Sequence, residues 1–140
     1  MSATEFPFHS RVPVRFRDVD ALGHVNNAVY FTYMEIARGE MVMDLLSIKQ
    51  PRDFPIILGE ACCRYHSPAR FGETLQVGLG VSRFGNKSFD IIYQIDGQDG
   101  RLVATGRTTM VMYDYESQKT VSVPPEFKEK IEARQEGWER

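Results

Sequence analysis

Asp18-Val19-Asp20-Ala21-Leu22-Gly23-His24-Val25-Asn26-Asn27-Ala28-Val29-Tyr30 places two carboxylates, a histidine and two amides just ahead of a helical pattern. The acids and Gly23 read as a loop. From about Ala28 to Leu46, Tyr30, Tyr33, Met34, Ala37, Met41 and Leu45 recur at three- and four-residue steps, which predicts a helix. Asn26 or Asn27 suits its N-cap, because a side-chain oxygen there can accept from unpaired backbone N–H groups. Such a helix is roughly 28 Å long. Val29, Phe31, Ile36 and Val42 spread apolar surface over much of its girth. That predicts a helix surrounded by other elements.

Upstream, Val12, Val14 and Phe16 alternate with Arg11, Arg15 and Arg17, the period of a half-buried strand. Pro13 assigns it to a sheet edge. Downstream, Ile56 to Ser67 forms a strand stopped by Pro68, and Phe71-Gly72 a turn. Leu75, Val77, Leu79 and Val81 alternate with small and polar residues up to a turn at Gly85-Asn86. Phe89, Ile91, Tyr93 and Ile95 alternate again, and Asp96-Gly97-Gln98-Asp99-Gly100 signals a hairpin. Leu102 to Tyr113 is the last long strand, and Pro124-Pro125 opens a short helix over about 124–136. The order predicts an α+β domain with a five-stranded antiparallel sheet. One long helix covers one sheet face. Ile92, Val103 and Val111 on the other face call for a second subunit.

With 140 residues, the chain fits a single domain spanning 1–140. Its 17 basic and 19 acidic residues give a net charge of −2, which offers no electrostatic footprint for nucleic acid. Cys62 and Cys63 are adjacent and point to opposite faces of a strand, so they form no disulfide scaffold, and packing explains them best. Residues 1–10 have no apolar run of the signal-peptide kind, and no segment reaches 18 apolar residues. A cytoplasmic protein without a membrane span is expected.

Chemistry concentrates on the Asp18–Asn27 loop. A helix N-terminus presents free N–H groups and a positive dipole end, which polarise a carbonyl and stabilise an oxyanion. A carboxylate across a substrate can then attack or activate water. The plainer reading is that the acids and amides are caps and Gly23 a turn. Asp18, Asp20 and His24 lack a second histidine at ligand spacing, so no metal is expected. There is no Gly-x-Ser-x-Gly elbow, P-loop or dinucleotide glycine fingerprint. Arg83-Phe84-Gly85-Asn86-Lys87-Ser88 is either solvated hairpin charge or a clamp for a phosphate. Glu35 and Arg38 read as an intrahelical ion pair.

Val14-Arg15-Phe16-Arg17-Asp18-Val19-Asp20-Ala21-Leu22-Gly23-His24-Val25-Asn26-Asn27-Ala28-Val29-Tyr30-Phe31, with Met34-Glu35-Ile36-Ala37-Arg38, resembles the 4-hydroxybenzoyl-CoA thioesterase family. Tyr65-His66-Ser67-Pro68-Ala69-Arg70-Phe71-Gly72-Glu73 is similar to a second motif of that family, and the resemblance runs over about 10–115. It implies a hot-dog fold, a long helix wrapped by an antiparallel sheet. It also implies a homo-oligomer, dimer or tetramer, with its active site between subunits. The activity implied is acyl-CoA hydrolysis, with Asp20 catalytic and Asn27 at the carbonyl-polarising helix start. Asp18 and His24 are supporting candidates; His24 falls on a variable position. Arg83, Lys87 and Ser88 are candidates for the CoA phosphates. No separate cofactor is implied, since CoA is part of the substrate. Hydrolysis of an acyl carrier protein thioester and non-catalytic acyl-CoA binding are the alternatives.

Overall fold

The structure is a computed structural model that describes residues 1–48 and 54–139. Five strands form one antiparallel sheet: β1 (Phe8–Pro13), β2 (Ile56–Tyr65), β3 (Thr74–Phe84), β4 (Ser88–Asp96) and β5 (Leu102–Asp114). Their order across the sheet is β1-β3-β4-β5-β2, so β1 and β2 are the edges. A short β6 (Lys119–Thr120) adds to β5 through Tyr113↔Thr120 and Asp114↔Lys119. The long helix α1 (Val29–Leu46) lies between β1 and β2 in sequence, and the short α2 (Pro125–Arg134) closes the chain. This is a hot-dog fold, as the family resemblance implied.

Helix α1 sits in the curl of the sheet because its inward residues are apolar. Tyr33, Met34 and Val42 are almost fully buried, as are Leu75, Leu79, Ile91, Ile95 and Met112 from the strands. Burying side chains of this size stabilises by about 1.5–3 kcal/mol each. Gly106 permits the close approach of helix to sheet. A side chain there would overlap Met34 Sδ and the Cys62 carbonyl oxygen. Helix α2 starts at a proline-favoured first turn and inserts Phe127 and Ile131 into the same core. Just past it, the Gln135 amide accepts from Val81 N–H at 2.7 Å and donates to Val81 C=O at 3.0 Å. Strand β1 has no residue opposite Val81, its pairing with β3 running from Leu79 to Thr74.

Two expectations are corrected. Phe16 does not extend the first strand. It lies in a 3-10 turn (Phe16–Asp18), 77% exposed, with its ring edge-on to Phe71 at 5.8 Å. The alternation fails there because the backbone tightens into a turn held by Asp18 N–H donating to Arg15 C=O at 2.9 Å. The outer sheet face is also not a bare apolar surface. Val103 is not on it but in the core, at the bulge where β5 passes Ile95 and Asp96, and Ile92 and Val111 are half-buried. Around them lies a polar network, with Asp90 accepting from Arg83 and Thr109, and Arg107 pairing with Glu60. Residues 1–5 cross this face, Ala3 N–H donating to Asp96 Oδ2 at 2.7 Å and Gln94 to the Met1 carbonyl at 2.8 Å. Exposed large apolar side chains include those on the flank of α1 (Phe31, Ile36, Met43), on β2 (Ile57, Leu58, Tyr65) and in the turns at Phe16, Leu22 and Phe71, with Leu102 and Tyr115 at the ends of β5.

Candidate active site

Residues 18–26 fold into a small hairpin. Val19 pairs with Val25, Asn26 N–H donates to Asp18 C=O at 2.9 Å, and Asp20 N–H donates to His24 C=O at 2.8 Å. Gly23, at φ 80°, closes the turn. The hairpin is docked on the next motif, with His24 bridged to Arg70 and Val25 N–H donating to Ala69 C=O at 2.9 Å. Arg101 holds that second turn in place, giving a bond of 2.7 Å to each Glu73 oxygen and one of 2.6 Å to the Pro68 carbonyl.

The two acids of the hairpin have opposite surroundings. Asp18 is buried. It accepts from Arg15 N–H at 2.9 Å, from the Arg15 guanidinium at 3.0 Å and from the Tyr33 hydroxyl at 2.9 Å. Burial pushes its carboxyl up. The hydrogen bonds from Arg15 and Tyr33 and the guanidinium charge outweigh that and hold it below its ordinary value. Asp20 is exposed at the hairpin tip. Its Oδ1 accepts from Leu22 N–H at 2.9 Å and His24 N–H at 3.3 Å, while Oδ2 has no bond among the described residues.

The helix entry also separates its two amides. Neither is the N-cap that the sequence pattern predicts: that position is Ala28, with no side-chain cap bond, and Asn26 Oδ1 accepts from Ala28 N–H at 2.9 Å in the turn ahead of the helix. The helix starts one residue later than the sequence pattern suggests, at Val29. Asn27 keeps its side chain and its own N–H free of partners among the described residues, and its carbonyl accepts from the Tyr65 hydroxyl at 2.7 Å. Asn27 follows the Asp20–His24 rung by three residues.

Arg83, Lys87 and Ser88 lie elsewhere. Tyr65, which touches Asn27, pairs with Ala104 on β5, whereas Ser88 pairs with Val111. Seven strand residues, about 23 Å, separate the two positions. Arg83 is in a two-bond ion pair with Asp90, at 2.9 and 3.3 Å. Lys87 reaches Thr120 Oγ1 at 3.5 Å. One chain therefore does not bring these three residues to Asp20.

Sequence reasoning missed the residues that brace the loop. Tyr33 and Tyr30 were legible only as apolar helix positions. Yet Tyr33 bonds Asp18 and the Tyr30 hydroxyl accepts from Ala69 N–H at 3.3 Å. The Arg15/Asp18 spacing of three was the one available signal of their pairing. Arg38 does more than pair with Glu35, from which it stands 3.9 Å: it is buried and donates to the Tyr93 hydroxyl at 3.2 Å, which contacts Thr108 at 2.7 Å. Among the described residues, no group of three or more His, Cys, Asp and Glu could hold a metal. Among them, too, no helix is long and apolar enough to cross a membrane.

A curled antiparallel sheet around one long helix is a fold this chain shares with hot-dog thioesterases. The chain belongs to the thioesterase-like superfamily, whose family model matches residues 14–131. It is similar to a thioesterase from Thermus thermophilus whose crystal structure holds coenzyme A and zinc. The TM-score is 0.84 at 30% identity, over 94% of this chain and 96% of that one. It is 30% identical to the Bacillus subtilis (strain 168) protein YsmA over 91% of this chain and 87% of that protein. It is 25% identical to the Escherichia coli (strain K12) long-chain acyl-CoA thioesterase FadM, over 88% of this chain and 96% of that one.

Proposed function

We propose that this thioesterase hydrolyses acyl-CoA thioesters to the free acid and CoA, using Asp20 and the helix entry at Asn27. The observation that carries this is the hairpin itself. It holds an exposed carboxylate with one unused oxygen, and three residues beyond its rung partner His24 come an N–H and a side-chain amide that have no partner among the described residues. Asn27 polarises the thioester carbonyl and takes up the developing oxyanion charge. Asp20 either attacks the carbonyl carbon, giving a mixed anhydride that water then opens, or takes a proton from the attacking water. In both routes the C–S bond breaks and CoA leaves as a thiolate. No strong general acid is needed, and His24 has no required part.

The acyl chain has a place to lie. A groove of about 750 Å³ runs beside α1, lined mainly by Ile36, Met43, Ile56, Leu58 and Met110, with Arg38 and Glu35 at its polar margin. Ile36 is nine residues along the helix from Asn27 and Met43 sixteen, about 13 and 24 Å. That reach suits a medium or long aliphatic chain, in keeping with the long-chain thioesterase among its relatives. The CoA phosphates are assigned to Arg83, Lys87 and Ser88 of a neighbouring subunit, since the same chain's set is too distant. The apolar flank of α1 and the free edge of β2 are the surface over which a second copy would pack.

A free-thiol assay over acyl-CoAs of graded length, with one acyl carrier protein thioester included, tests this reading. Release of CoA from the longer acyl-CoAs, abolished by Asp20→Asn, is the expected result. Turnover of the carrier-protein substrate alone would transfer the activity to that class. Binding of acyl-CoA without release would make the protein a binder.

A further inference from the structure

We infer that Tyr65 is a positioning residue for the proposed carbonyl-polarising turn, holding the Asn27–Ala28 peptide by its carbonyl so that Asn27 presents its free N–H groups in one orientation. The inference rests on the thioester reading of the site. Helix α1 begins at Val29, and Phe31 N–H, which could reach back to Asn27, bonds Ala28 C=O at 3.3 Å instead. The Asn27 carbonyl is therefore outside the helical ladder and would face water but for one partner, the Tyr65 hydroxyl at 2.7 Å.

The same peptide is held at its other end, where Ala28 N–H donates to Asn26 Oδ1 at 2.9 Å. With both ends tied, rotation of this peptide breaks two hydrogen bonds. That restrains ψ at Asn27 and so narrows the directions open to its side chain and to its own N–H, which belongs to the preceding peptide. Preorganised donors stabilise an oxyanion because they need not reorient as charge develops.

Tyr65 is itself braced. It is the last residue of β2, paired with Ala104, and its ring stands edge-on to Tyr30 at 5.3 Å. Burial pushes its hydroxyl pKa upward, so it remains a donor at neutral pH. Tyr30 carries the chain of contacts on to Tyr33, ring to ring at 6.0 Å, and Tyr33 bonds Asp18. The edge strand, the helix and the acid hairpin are thus joined through three tyrosines, and Tyr65 is the one that touches Asn27.

Tyr65→Phe tests the idea, because it keeps the ring and its Tyr30 contact and removes only the hydroxyl. In the full-length protein kcat should fall about tenfold, less than the 10²–10³ typical of losing a direct oxyanion donor. KM and the thermal midpoint should stay at wild-type values, which separates positioning from a general loss of structure. Amide exchange at Ala28, whose N–H is bonded to Asn26, should quicken when followed by NMR. A kcat within twofold of wild type, in a preparation where Asp20→Asn is inactive, overturns the inference and leaves the thioesterase reading standing. A fall in kcat matched by a raised KM and a lowered midpoint also overturns it. If the wild-type protein releases thiol from no substrate, the thioesterase reading fails separately. Exchange then decides: quickening at Ala28 sustains the clamp, and an unchanged rate overturns it.

Discussion

The Tyr33 hydroxyl donates to Asp18 Oδ2 at 2.9 Å, joining the second turn of α1 to the start of the acid hairpin fifteen residues earlier. Arg15 completes the grip on the same carboxylate. Of the two acids in the motif, one is thus committed to holding the loop and the other is left exposed.

Asp18→Ala should therefore act on stability. It leaves the buried Tyr33 hydroxyl without its acceptor, a loss of about 1–3 kcal/mol. Urea unfolding should show a lower midpoint at unchanged slope. A midpoint equal to wild type would return Asp18 to the list of possible reacting groups.

Asp20→Asn should act on rate. Its side chain is exposed and its turn bonds to Leu22 and His24 survive in the amide. The unfolding midpoint should not move, and kcat should fall by about two orders of magnitude or more. Retention of more than a tenth of wild-type kcat would exclude the aspartate mechanism and make His24 the next base to test.

Stability should decline in acid, with a sign set by three depressed carboxyls. Burial raises Asp18 but Arg15 and Tyr33 outweigh it; Glu73 is lowered first by hydrogen bonds from Arg101, and Asp90 by those from Arg83. A carboxyl held below its unfolded value stabilises above that value and loses the contribution as pH falls through the folded one. Unfolding free energy should be level near neutrality and drop below about pH 4. Asp90→Asn should flatten that drop, and an unchanged slope would show that the pairing with Arg83 contributes nothing.

Subunit mixing tests the division of labour in the proposed site. Arg83→Ala with Lys87→Ala should raise KM for acyl-CoA and spare kcat, more so at low salt. If Asp20 of one subunit works with Lys87 of another, mixing this double variant with Asp20→Asn should regenerate complete sites. Activity at low substrate should then exceed the sum of the two preparations. Simple additivity after subunit exchange would place both functions in one chain or remove Arg83 and Lys87 from the site.

Much of this architecture is legible in the residues alone. The 3.6 period of α1 and the twofold period of β3 and β4 are long and uninterrupted, so local pattern and tertiary packing agree. The hairpin at Gly23 is legible from its acids and glycine. Phe16 is not, because an apolar residue in strand phase can equally be an exposed residue in a tight turn. That the N-cap falls on Ala28, and on neither Asn26 nor Asn27, is not legible either, because spacing does not show where the helical ladder begins. The roles of Tyr33 and Tyr65 are hidden because a tyrosine counts as apolar in periodicity while its hydroxyl acts across sequence distances of 15 and 38 residues. The distance between Lys87 and Asp20 comes only from strand register.

The two hydrogen bonds between Gln135 and Val81 bear on how the chain tolerates trimming. By pairing with both backbone groups of one residue, a single amide imitates the rung of a neighbouring strand where β1 has ended. An unpaired ribbon is a template for adhesion between molecules. Deleting the residues after Arg134 would uncover such a ribbon on β3, so solubility during expression would suffer before catalysis did.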